Sequence, residues 1–116
     1  MPIFKPEQQW EAYLSAFNAQ EAGERENLLQ QSVSDDVEFT NPGSNGKGRS
    51  VLSTHIQEFH EKMPGLYFTT DKTFLSQGDL LAVWSMFRPD GSKIAMGYNY
   101  LRFDAAGRFT FMAGFF

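Results

Sequence analysis

Two histidines, His55 and His60, stand five residues apart in the run Thr54-His55-Ile56-Gln57-Glu58-Phe59-His60. Imidazole has an ordinary pKa suited to proton transfer near neutrality, and burial keeps it uncharged. The alternative is a pair of half-exposed helix residues with no chemistry. Tyr13 lies on an apolar helix stripe, where it is either a core residue with a satisfied hydroxyl or a phenol facing a dry cavity. Asn41 precedes Pro42-Gly43 and is either a turn former bonded to nearby backbone or a polar group in a pocket. Asn99 alternates with Gly97 and Leu101, so an inward Asn99 brings Gly97 inward and widens the space locally. Asp35 and Asp36 precede a strand and read as capping or solvating groups. The run Asn45-Gly46-Lys47-Gly48 opens a helix but lacks the strand, spacing and hydroxyl of a phosphate-binding loop, so it reads as a surface turn.

Several chemistries are excluded at the outset. The 116 residues contain no cysteine, which removes disulfides, thiol nucleophiles and cysteine-based zinc sites. Two histidines on one helix with no third ligand do not make a metal site, and no cofactor is expected. Fourteen acidic residues against ten basic ones give a formal net charge of -4 and no basic run, so nucleic acid is not an expected partner. The N-terminal MPIFKPEQQW lacks the basic start and apolar centre of a signal peptide, and no apolar run is long enough to span a membrane. The expectation is a soluble, cytoplasmic protein with no membrane partner.

The elements that must position these groups follow from periodicity. After Pro6, the residues Trp10, Tyr13, Leu14 and Phe17 recur at helical spacing, which predicts a helix over 6–20. A second helix fits 22–31, with Leu28 and Leu29 facing inward. Val37, Phe39 and Asn41 alternate with polar residues in a short strand, and a loop is expected over 41–48. Val51, Leu52, Ile56, Phe59 and Met63 predict a third helix over 49–63, stopped by Pro64-Gly65. Everything after Leu66 reads as four strands joined by short turns at 77–79, 89–91 and 105–107, and such strands are antiparallel. A chain of this size holds one domain, taken here as 1–116, of α+β class with helices on one face of a curved sheet. Aromatic residues reach 16% of it, with 12 Phe, 4 Tyr and 2 Trp, so the rings either fill a bulky core or line a cavity. Trp84, alternating with Leu80, Ala82 and Met86, belongs to the cavity or to the outer sheet face. Met96, Tyr98 and Tyr100 lie on the face opposite Asn99, and an exposed aromatic sheet face is a candidate interface.

The order helix, helix, short strand, helix and four-stranded meander resembles the nuclear transport factor 2-like superfamily, and within it the SnoaL-like and ketosteroid-isomerase-like proteins. The likeness is strongest over 13–42 (YLSAFNAQEAGERENLLQQSVSDDVEFTNP) and 99–116 (NYLRFDAAGRFTFMAGFF). It implies a cone-shaped, cystatin-like fold of three N-terminal helices packed on a curved, mainly antiparallel sheet, with an apolar pocket for a small hydrophobic molecule. It also implies a homodimer through the sheet face. Ketosteroid isomerase uses a carboxylate base, with a tyrosine and a protonated carboxylic acid stabilising the enolate. By resemblance Tyr13 takes the place of that tyrosine and Asn99 that of the protonated acid, a substitution that keeps a hydrogen-bond donor. Asn41 falls where the base carboxylate stands, and an amide accepts no proton at neutral pH. The resemblance thus implies an isomerase- or cyclase-type site that polarises a carbonyl through Tyr13 and Asn99, with His60 or water in place of the missing carboxylate. His60 matches a family tyrosine that bonds to the catalytic one, so it is expected to bond to Tyr13. Phe17, Phe39, His55, Phe59 and Trp84 are the expected ligand-binding residues. A non-catalytic dimeric binding domain is the alternative.

Overall fold

The structure is a computed structural model that describes residues 5–116. Helix α1 spans Pro6–Asn18, α2 Ala22–Ser32 and α3 Arg49–Lys62; the strands are β1 Val33–Asn41, β2 Ser44–Lys47, β3 Tyr67–Ser76, β4 Asp79–Phe87, β5 Lys93–Phe103 and β6 Phe109–Phe115. They form one six-stranded sheet in the order β2-β1-β6-β5-β4-β3. All neighbours pair antiparallel except β1 with β6, which run parallel. The α+β arrangement is the one the periodicity predicts.

The stripe on α1 explains its seat. Trp10, Tyr13, Leu14 and Ala16 are buried against Leu29 of α2, Val37 and Phe39 of β1, Leu52 and Ile56 of α3, and the inward residues Leu80, Ala82, Trp84, Leu101, Phe109 and Met112 of the sheet. Polar groups lock the helices at fixed angles. Asn18 both donates to the Phe68 carbonyl and accepts from the Phe68 N–H, each at 2.9 Å, which ends α1 two residues earlier than expected and ties it to β3. The buried Arg25 guanidinium donates to Gln57 Oε1 (2.7 Å) and to the Ala19 carbonyl (2.9 Å), joining α2 to α3 and to the end of α1. Gln9, equally buried, donates from Nε2 to the carbonyls of Gln31 (3.0 Å) and Gly107 (2.8 Å), so one amide clamps α1 to the end of α2 and to the β5–β6 turn. Gln9→Ala would leave both carbonyls unpaired, and chemical denaturation should show a loss of about 1–3 kcal/mol. An unchanged midpoint would mean that water replaces the amide without cost.

Two expectations need correction. The segment 41–48 is a hairpin rather than a loop: β2 pairs with β1 through Phe39↔Gly46 and Asn41↔Ser44. Ser44-Asn45-Gly46-Lys47 carries no β-branched or aromatic residue, so propensity gives no signal. The strand exists because Gly46 lets its backbone lie against Phe39; a Cβ there would come 2.7 Å from Phe39 Cζ. Strand β1 also begins at Val33, not Val37. Fully buried Val33 pairs with Phe109, and a register shift before Glu38 absorbs the polar Ser34-Asp35-Asp36. Asp35 is ion-paired with Arg49 at the start of α3.

Candidate functional site

Between α1, α3 and the concave sheet face lies a cavity of about 310 Å³, within the size range that holds small molecules. Its walls are almost entirely apolar. Tyr13 and Phe17 come from α1, Phe39 and Asn41 from β1, His55 and Phe59 from α3, and Trp84 and Asn99 from the sheet, all on this one surface. Sequence reasoning had not assigned Leu52, Phe68, Met112 and Gly114 to a site, and they too line it. Their signal was only the ordinary core periodicity.

Three polar groups give the cavity its character. The Tyr13 ring packs against Trp10 and Phe17 with centroids 5.7 and 6.3 Å away, yet among the described residues no protein group hydrogen-bonds its hydroxyl. Burial pushes the phenol well above its ordinary pKa near 10, so it stays protonated and remains a donor at any physiological pH. Asn99 is oriented by Trp84, whose indole Nε1–H donates to Asn99 Oδ1 at 2.9 Å. An indole N–H can only donate, so the oxygen end of the amide is fixed, and among the described residues nothing accepts from Nδ2. Asn41 is held differently. Its Oδ1 accepts the backbone N–H groups of Gly43 and Ser44, both at 2.9 Å, and the Ser44 hydroxyl at 3.3 Å. That is the turn-forming role, and it aims Nδ2 at His55 Nε2, 3.5 Å away.

His55 therefore sits in a chain of contacts, with Nε2 toward Asn41 and Nδ1 3.4 Å from Ser44 Oγ. Its ring also packs on Phe39, with centroids 5.6 Å apart. Burial lowers its pKa below the ordinary histidine value, while the Glu58 carboxylate pulls it up and Lys62 adds to the lowering.

His60 is placed elsewhere. Its Nε2 donates to the Phe17 carbonyl, Nδ1 is buried without a partner among the described residues, and it is not among the residues facing the cavity. The expected bond from His60 to Tyr13 is absent, because the end of α1 presents its backbone rather than Tyr13 to that part of α3. Gly97 is likewise reassigned. It pairs with Trp84 across the β4–β5 ladder, and a Cβ there would lie 2.4 Å from Trp84 Cζ2. The missing side chain makes room for the indole, not for a ligand.

The family model described as the SnoaL-like domain matches residues 10–114. The chain belongs to the SnoaL-like family. Among curated proteins none matches the sequence. Solved structures similar to this SnoaL-like domain share its fold at low identity. A SnoaL-like family protein from Agrobacterium tumefaciens, named as a candidate isomerase, is 23% identical over 93% of both chains with a TM-score of 0.88. An NTF2-like protein of unknown function from an Exiguobacterium species is 17% identical over 91% of this chain and 95% of its own, at 0.76. A protein from Sinorhizobium meliloti named as a candidate polyketide cyclase is 11% identical over 96% and 99%, at 0.74. The SnoaL-like chain thus has the NTF2-like, cystatin-like cone.

Among the described residues of this SnoaL-like domain, no group of three or more His, Asp and Glu side chains is arranged to hold a metal ion. No described helix is long and apolar enough to cross a membrane.

Proposed function

We propose that the cavity binds a small apolar molecule bearing a carbonyl group and polarises it, as an isomerase- or cyclase-type enzyme would. One observation carries this reading: two hydrogen-bond donors with no partner among the described residues, the Tyr13 hydroxyl and Asn99 Nδ2, belong to a mostly apolar cavity. A donor without a protein partner in such surroundings is strengthened by the low dielectric and favours a ligand oxygen that gains negative charge. The names of the Agrobacterium and Sinorhizobium proteins point the same way. The test is calorimetric titration with 2-tetralone and with tetralin, the hydrocarbon of the same shape. The ketone should bind at least about tenfold more tightly, the worth of one good hydrogen bond in a dry site. Equal affinities would remove the carbonyl from the reading and leave an apolar binding cavity.

The rival, a non-catalytic dimeric binding domain, has its support on the other side of the sheet. Phe74, Met96, Tyr98 and Phe115 are between 44% and 58% exposed there, and an apolar face of that kind suits a second copy of the chain. Dimerisation is compatible with either reading. In sedimentation the wild type is expected at twice the 13.2 kDa chain mass and Tyr98→Glu at the monomer mass; a monomer in both would refute the interface.

A further inference from the structure

We propose that His55, with Asn41 and Ser44 fixing its tautomer, is the general base of this cavity and takes a proton from the carbon next to the bound carbonyl. The inference deepens the carbonyl reading and rests on it. It begins with the Asn41 amide, whose oxygen is occupied by two backbone N–H groups and one hydroxyl. Only the NH₂ end is left to face His55 Nε2. An amide N–H donates, so this contact favours an unprotonated Nε2 with the ring proton on Nδ1, toward Ser44 Oγ. The Ser44 hydroxyl can accept it because its own proton points to Asn41 Oδ1.

At 3.5 Å the Asn41 contact is long and weak, so a ligand C–H that displaces the Asn41 Nδ2 donor gains the Nε2 lone pair at little cost. The residue that stands where a carboxylate base is expected has thus become the group that orients a neighbouring imidazole. Base and donors share one region: a Cβ at Gly114 would lie 3.4 Å from Asn99 Oδ1 and 3.5 Å from Asn41 Cβ, so the two amides flank the same point of β6.

The step balances without a co-reactant. The C–H bond beside the carbonyl breaks and its proton forms an N–H bond at Nε2. The electron pair moves to the carbonyl oxygen, where the Tyr13 O–H and Asn99 Nδ2–H stabilise the enolate. The imidazolium then returns a proton to the same or a conjugated carbon, with no net oxidation or reduction. The substrate class is an apolar, enolisable ketone.

Deuterium uptake by 2-tetralone in D₂O is the assay, with ketone affinity measured in parallel. His55→Gln should keep the affinity within about threefold while exchange falls by roughly 10²–10⁴. The exchange rate of the wild type should rise with pH to a plateau, with a midpoint below 6.5, because the base must be neutral and its pKa is lowered. The groups facing His55 from β1 and β2 (Phe39, Asn41, Ser44) carry no charge, and Glu58 and Lys62 of its own helix are the charges that act on it. The imidazole ¹⁵N spectrum should show the Nδ1–H tautomer, a readout independent of turnover. Binding without exchange in the wild type, undiminished exchange in His55→Gln, or an Nε2–H tautomer would each overturn the base while leaving the carbonyl reading intact. A wild type that does not prefer the ketone over tetralin would overturn both.

Discussion

Replacing Gly97 by alanine is expected to destabilise the protein by about 2–3 kcal/mol, at the upper end of overpacking costs. The new Cβ would lie 2.4 and 2.7 Å from Trp84 Cζ2 and Cη2 and 2.8 Å from the Phe115 carbonyl oxygen. None of these neighbours can step aside cheaply. The indole is held by its bond to Asn99 and by an edge contact with Phe68 at 5.3 Å, and the carbonyl belongs to β6. Any rotation of Trp84 also frees the Asn99 amide, so ketone affinity should fall together with stability. Urea denaturation and calorimetric titration of the same variant check both. A loss below about 0.5 kcal/mol, in the range of ordinary surface substitutions, would show that the indole is free to move.

Tyr13→Phe should instead separate activity from stability. Its hydroxyl has no partner among the described residues, so removing it orphans none of them, and the packing on Trp10 and Phe17 survives. The folding midpoint should hardly change. Loss of one donor to a developing oxyanion, by contrast, costs about 10²–10³ in rate, or roughly 3–4 kcal/mol of transition-state stabilisation. Deuterium uptake by 2-tetralone should therefore collapse in a protein that is otherwise intact. Full exchange in Tyr13→Phe would rule the phenol out of the chemistry, whereas a large drop in stability would show that the hydroxyl has an unrecognised structural partner.

The helices and the meander were legible in the sequence because each buries one stripe or one face, and burial writes a period of 3.6 or 2. Strand β2 was not legible, since its four residues pair for reasons of tertiary contact alone. The inward side of Asn99 could be read from alternation, but its donor end could not: that depends on Trp84 Nε1, fifteen residues earlier in the chain and adjacent only through the ladder. The two histidines show the same limit. Spacing places both on α3, and the choice between them is made by partners from other elements, the Phe17 backbone for His60 and the β1–β2 hairpin for His55. The aromatic surplus has divided accordingly, with Tyr13, Phe17, Phe39, Phe59, Phe68 and Trp84 around the cavity and Tyr98 and Phe115 outside it.

The parallel seam between β1 and β6 has a kinetic meaning. It joins Val33–Asn41 to Phe109–Phe115, so the loop that must close before the sheet is whole contains most of the chain, and such non-local pairing slows folding. The cavity straddles that seam: Asn41 and His55 stand on the β1 side of it, Trp84, Asn99 and Gly114 on the β6 side, and Tyr13 comes from α1, which is tied to β3. No partly folded chain can therefore offer the phenol, the amide and the imidazole to one ligand. A molecule that bridges them reports on the completed fold, and its binding free energy is added to global stability rather than to any single element.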